Sequence, residues 1–121
     1  MNWSRTYNNW LLQLRTWAAC GDLFAAGFDA LQLKSGRRSK QLKRIVDRLG
    51  QGDKRHLPPV DVLPSSAMAG AAGAYAASTG TVYLNKDWLN NASAAAVQAV
   101  LTEELGHHLD QVLSEEDTQG D

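Results

Sequence analysis

Residues 93–113 read Ser-Ala-Ala-Ala-Val-Gln-Ala-Val-Leu-Thr-Glu-Glu-Leu-Gly-His-His-Leu-Asp-Gln-Val-Leu, and this stretch decides the fold. Serine is a favoured helix N-cap, and Ala94 to Leu113 contain no proline. At about 100° per residue, Leu101, Leu105, Leu109 and Val112 share one face, which predicts an amphipathic helix. Glu103, His107 and Asp110 occupy a second flank, at i, i+4 and i+7, and Glu104 lies between that flank and the apolar face. Side chains one turn apart can converge on one ion, so Glu103 and His107 are candidate metal ligands. Asp110 is about 10.5 Å along the axis from Glu103, against ligand distances of about 2 Å. Three residues after His107, it is better placed to hydrogen-bond the imidazole and fix its tautomer. His108 falls among the apolar positions, where a hydrogen-bonded histidine at the core boundary is expected.

Upstream, Thr81-Val82-Tyr83-Leu84-Asn85 is rich in β-formers and predicts a strand. With Gly73 to Ser78 it makes a hairpin, and Val60 to Leu63, between Pro59 and Pro64, is a further short strand. Lys86 to Asn90 predicts a helical turn. Trp3, Tyr7, Trp10, Leu14 and Trp17 recur at helical spacing as a core-facing stripe. Asp22 is placed to cap a second helix running to Leu33. Leu42, Ile45, Val46 and Leu49 mark a third, stopped at Gly50-Gln51-Gly52-Asp53. The polar run from Ser114 to Asp121 reads as a loop or frayed end. The expected fold is α+β: N-terminal helices, a short β element and a long C-terminal helix carrying the motif. One domain over residues 1–121 is expected, with a helical part to residue 55 and a strand-plus-motif-helix part from residue 56.

Composition narrows the classes. A chain of 121 residues, 44% hydrophobic and 21% charged, is a globular composition rather than a disordered one. No apolar run is long enough to span a membrane, and the first residues lack the apolar stretch of a signal peptide. The single cysteine, Cys20, excludes an internal disulfide and a cysteine-rich zinc site, and is expected to be a small buried residue. Nine of the 12 Lys and Arg lie between Lys34 and Arg55, whereas Glu103 to Asp121 holds seven acids and no Lys or Arg. Lys40, Lys43, Arg44 and Arg48 lie opposite the third helix's apolar stripe, which predicts a solvated basic face. His56, among Lys, Arg and Pro, is expected at the surface.

Glu103-Glu104-Leu105-Gly106-His107 resembles the zincin motif His-Glu-Leu-Gly-His with the first His replaced by Glu. Three segments widen the resemblance: Gly73 to Asn85, Leu101 to Asp110, and Asp117-Thr118-Gln119-Gly120-Asp121. In this order they are similar to a peptidase-like module found near the N-terminus of large cyanobacterial exoproteins with calcium-binding repeats. The resemblance covers about Leu57 to Asp121, and such modules continue past the Gly-Asp where this chain stops. It implies a zincin-like metallopeptidase fold and a zinc ion. His107 takes the place of the second histidine ligand, and Glu104 that of the general base acting on the attacking water. Glu103 stands where the first ligand belongs, and a one-histidine set is harder and less zinc-selective. The third ligand stays open, with Asp117 and Asp121 as candidates and Glu115 and Glu116 also chemically able. Gly106, in the same reading, admits another backbone close to the metal helix. The strand Gly80 to Asn85 is expected to pair with an extended peptide substrate.

Three functions follow from these residues. The first is a zinc metallopeptidase acting on peptides. The second is a non-catalytic interaction or processing module of a larger exported protein, with a protein partner; the loss of a primary ligand favours it. The third is binding of nucleic acid or an anionic surface through Lys34 to Arg55, disfavoured because no aromatics interleave with the charges.

Overall fold

The computed structural model describes residues 1–119, with side chains through Glu115. The helices are α1 (Trp3–Cys20), α2 (Asp22–Ala30), α3 (Arg37–Gly50), α4 (Lys86–Asn91) and α5 (Ala94–Gln119). The strands are β1 (Val60–Leu63), β2 (Gly73–Ala76) and β3 (Thr81–Asn85), with a short 3-10 turn at Ser65–Ala67. The α+β class expected from the sequence is the observed one. Packing divides the chain into two units, one of Met1–Asn8 and Pro58–His108, the other of Asn9–Leu57 and residues from 109 onward. No helix among the described residues is long and apolar enough to cross a membrane.

The first unit is built on a three-stranded mixed sheet in the order β1-β3-β2. β3 runs parallel to β1, pairing Val60 with Val82 and Leu63 with Asn85, and antiparallel to β2, pairing Gly73 with Leu84 and Ala76 with Thr81. As the central strand, β3 has both backbone edges occupied, and Thr81, Val82, Leu84 and Asn85 are all buried. This corrects the expectation that β3 receives a substrate strand: an added chain can pair only with β2 or β1. Val97, Leu101 and Leu105 of α5 join Val82, Leu84, Met68 and Leu89 in the apolar core.

Asn85 ends β3 and starts α4. Its Oδ1 accepts from the backbone N–H of Asp87 (3.0 Å) and Trp88 (3.2 Å) and from the Ser65 hydroxyl (2.8 Å). Its Nδ2 donates to the Ala71 carbonyl (3.0 Å). α5 is opened by Ser93, whose hydroxyl accepts from Ala96 N–H at 3.1 Å, the cap read from the sequence.

In the second unit Leu42, Ile45, Val46 and Leu49 of α3 are buried as their spacing requires. Lys40, Lys43 and Arg44 are exposed as expected, whereas Arg48 of the same face is half-buried against His56, and Lys43 pairs with Asp47 one turn on at 2.6 Å. From the stripe on α1, Trp10 and Leu14 are buried, whereas Trp17 is half-buried.

Several local expectations change. α2 begins after Gly21, so Asp22 is in its first turn rather than its cap, where a carboxylate favours the helix dipole. α2 stops at Ala30, not Leu33, because Gln32 turns left-handed at φ 53°. Leu33 N–H then bonds Phe28 O and Gln32 N–H bonds Asp29 O, a Schellman ending. Cys20, expected to be buried, is exposed at the end of α1. His56 is half-buried rather than on the surface, its Nε2 3.0 Å from Arg48 Nη1. The polar end is helical through Gln119, since Ser114 to Gln119 contain no Gly or Pro to stop α5, and Gln111 bonds Glu115 at i+4 (2.9 Å).

Candidate metal centre

Leu101 and Leu105, buried to 1% and 2% exposure, fix the rotation of α5 about its axis. Given that rotation, residues 103, 104 and 107 must emerge together beside the core. Glu103 and His107 are exposed, and Glu104 is buried at 7% exposure. One ligand atom from each lies within 4.8 Å of the other two, the one such group among the described residues.

Burial pushes the Glu104 carboxyl above the ordinary glutamate range. The positive charge available on His107 opposes that rise and the Glu103 carboxylate adds to it. The raised value fixes the sign of a pH effect. Between the ordinary and the raised pKa, the folded chain holds a proton the unfolded chain has lost, so stability falls as pH rises through that window. Metal-free wild type should therefore lose stability relative to Glu104→Gln from the acid range toward neutrality. Urea midpoints of both proteins from pH 4 to 8 check this; parallel profiles would show that Glu104 carries no burial penalty.

Beside the group, the Tyr75 hydroxyl and His108 Nδ1 are hydrogen-bonded at 2.8 Å, with the rings edge to face at 5.5 Å. His108 is thus the hydrogen-bonded boundary residue its position predicts, and it ties β2 to the helix next to His107. Asp110, expected to steady the His107 ring, is instead engaged by Arg38, Nη2 to Oδ1 at 3.2 Å. Arg38 also reaches the Ser114 hydroxyl at 3.4 Å. Of the third-ligand candidates, the Asp117 side chain and all of Asp121 lie outside the described residues, as does the side chain of Glu116. Glu115 is described and does not belong to the group.

Apart from its own helix, a Cβ on Gly106 would meet no atom of the described residues within 4 Å, contrary to the close approach expected there. Gly106→Ala should then stabilise the fold by about 1 kcal/mol, the helix-interior difference between the two residues. Thermal and chemical denaturation check it, and a loss of stability would mean the space above Gly106 is filled.

Two residues central to this region carried weak sequence signals. Tyr75 stood in a Gly/Ala-rich stretch, and nothing linear connects it to His108. Asn85 was legible only as an N-cap type at a strand-to-helix junction.

A helix presenting Glu-Glu-x-x-His beside a small mixed sheet is the arrangement a zincin-like, metallopeptidase-related domain requires. Residues 36–116, more than half of the chain, match the model of Peptidase family M48, and the chain belongs to that family. The match reaches back to residue 36, further than the resemblance read from the sequence, and so takes in α3. No curated protein and no solved structure matches the chain.

The donor types, one imidazole and two carboxylates on one turn, suit a divalent cation.

Proposed function

We propose that this chain is a metallopeptidase-related domain that holds a divalent metal ion on the turn from Glu103 to His107, and that it binds peptide or protein without cleaving it. The observation that carries the reading is the convergence of Glu103, Glu104 and His107 within 4.8 Å in a chain of Peptidase family M48. Zinc is the ion the family resemblance implies, with Glu103 and His107 as holders; when bound, it supplies Lewis acidity to a carbonyl or a water. The substitution of Glu103 for a histidine leaves a single nitrogen donor in the group, which supports a degenerate site.

The strand offered to an extended partner is β2, at the edge of the sheet and tied to α5 beside His107. The basic face of α3 belongs to the family's own span, which supports a structural helix rather than a separate nucleic-acid surface.

A second reading, an active peptidase, is favoured by Glu104. A buried carboxyl with heightened proton affinity suits a general base.

Elemental analysis of protein purified without chelators tests the proposal. About one metal ion per chain is expected, lost in His107→Ala, with no cleavage of a fluorogenic peptide mixture. Metal-free wild type overturns it. Cleavage abolished by Glu104→Gln establishes the second reading in its place.

A further inference from the structure

We infer that the basic face of α3, together with α2 beside it, is a docking surface for an anionic lipid membrane. The inference concerns the second unit alone and is independent of the metal-binding reading.

The sequence disfavours an anionic partner because no aromatic residue stands among the charges of Lys34 to Arg55. Folding supplies aromatics from α2. Gly27 of α2 is seated on α3 so closely that a Cβ there would stand 3.1 Å from Leu42 Cδ2. That seat brings Phe24 and Phe28, one turn of α2, up to the basic helix. Lys43 Nζ lies 5.9 Å from the centroid of the Phe24 ring, and the Phe24 and Phe28 rings are 5.9 Å apart. Six of the nine residues of α2 are apolar, yet none is buried. Leu23, Phe24 and Phe28 are half-buried, and Ala25, Ala26 and Ala30 are exposed.

On α3, Arg37, Lys40 and Arg44 recur at i, i+3 and i+7 and share one ridge. With Lys34 and Lys43 they make five exposed bases. A basic cluster of about four to eight residues on an amphipathic helix is the chemistry that anionic headgroups recognise. Phenylalanine and leucine beside such a cluster add apolar area at the acyl boundary.

The acids in this surface choose between anionic partners. Asp22, Asp29 and Asp47 are exposed among the bases. A fluid bilayer can set anionic headgroups against Arg37, Lys40 and Arg44 and neutral ones against the aspartates. A nucleic-acid strand carries its phosphates at fixed spacing and meets both signs of charge. Lys43 also lies over the Phe24 ring, the face on which a base would stack.

The test is co-sedimentation of the full chain with vesicles of phosphatidylcholine alone or with about one-third phosphatidylglycerol. Wild type should bind the anionic vesicles at about 0.15 M salt, release them near 1 M, and ignore the neutral ones. Each basic residue at such a surface is worth about fivefold in affinity, the equivalent of about 1 kcal/mol. The triple variant Arg37→Gln, Lys40→Gln, Arg44→Gln should therefore bind about 100-fold more weakly. Its three positions are exposed, so the fold should survive, which circular dichroism checks. Ala25→Glu, exposed and one turn before Phe28, should also weaken binding, which places α2 in the contact. Wild type that binds neither vesicle, or both alike, overturns the inference. So does a triple variant that binds as wild type does. Ala25→Glu without effect removes α2 from the surface and overturns the inference as stated. Tighter binding of short duplex DNA than of anionic vesicles at the same salt makes the face a nucleic-acid surface instead.

Discussion

Replacing Asn85 with alanine should cost about 2 kcal/mol of folding stability. The N-cap of α4 is lost, which is about 1 kcal/mol when Asn is cut to Ala. The Ser65 hydroxyl then loses its acceptor and the Ala71 carbonyl its donor, which together add about 1 kcal/mol, the net worth of ordinary hydrogen bonds. Ala71 is exposed and Ser65 half-buried, so water takes over part of what Asn85, itself 4% exposed, supplied. Asn85→Asp separates the contributions. It keeps the acceptor for the cap and for Ser65 but cannot donate to Ala71, so it should fall between wild type and alanine. Chemical denaturation of the three proteins gives the values. An alanine variant within about 0.5 kcal/mol of wild type, the scale of ordinary surface substitutions, would mean the side chain is not the hub described.

Gly73→Ala should be the second large loss, about 1–3 kcal/mol, the usual range for overpacking. A Cβ at position 73 would stand 2.5 Å from Val100 Cγ1, closer than side chains tolerate. Val100 is β-branched on a helix and so has one strongly preferred rotamer, which leaves it little room to turn aside. Leu84 Cδ2 and the Tyr83 carbonyl, both at 3.5 Å, bound the site elsewhere. The alanine's smaller unfolded-state entropy offsets part of the cost, by about 0.4–1 kcal/mol. Val100→Ala in the same chain should relieve the clash, so the double variant should be more stable than the sum of the single effects. Strict additivity, by denaturant midpoints, would show that β2 does not lie against α5 at this point.

Both variants also bear on function. Gly73 lets the edge strand approach the helix that carries Glu103, Glu104 and His107, and Asn85 fixes the junction through which β3 enters α4. They support the site without belonging to it.

The motif helix was legible because it obeys local rules. Ser93 caps it, leucines recur at its period, and Glu103 and His107 are one turn apart, so any helix over these residues presents them together. The same held for α3, whose Leu42, Ile45, Val46 and Leu49 declare one buried face, and for the hairpin of β2 and β3, whose turn and β-forming residues are contiguous. Local pattern fails where the outcome depends on partners distant in sequence. Which strand would be central could not be read from Thr81 to Asn85, because β3 gains its second neighbour, β1, from a segment beyond the hairpin. Asp110 was assigned to His107 by helical spacing, yet an arginine on another helix, Arg38, engages it. Gly106 seemed to mark a close approach, but whether space above a glycine is filled depends on what else folds over it. The sequence by itself determined most of the elements and the placing of Glu103, Glu104 and His107 on one turn, through helix geometry and burial of apolar periodicity. Only the tertiary structure decided that Glu104 is the buried member, that β2 and β1 rather than β3 form the sheet edges, and that Tyr75 ties β2 to His108 of α5. Solvent exclusion and strand order are properties of the assembled fold, not of any stretch of chain.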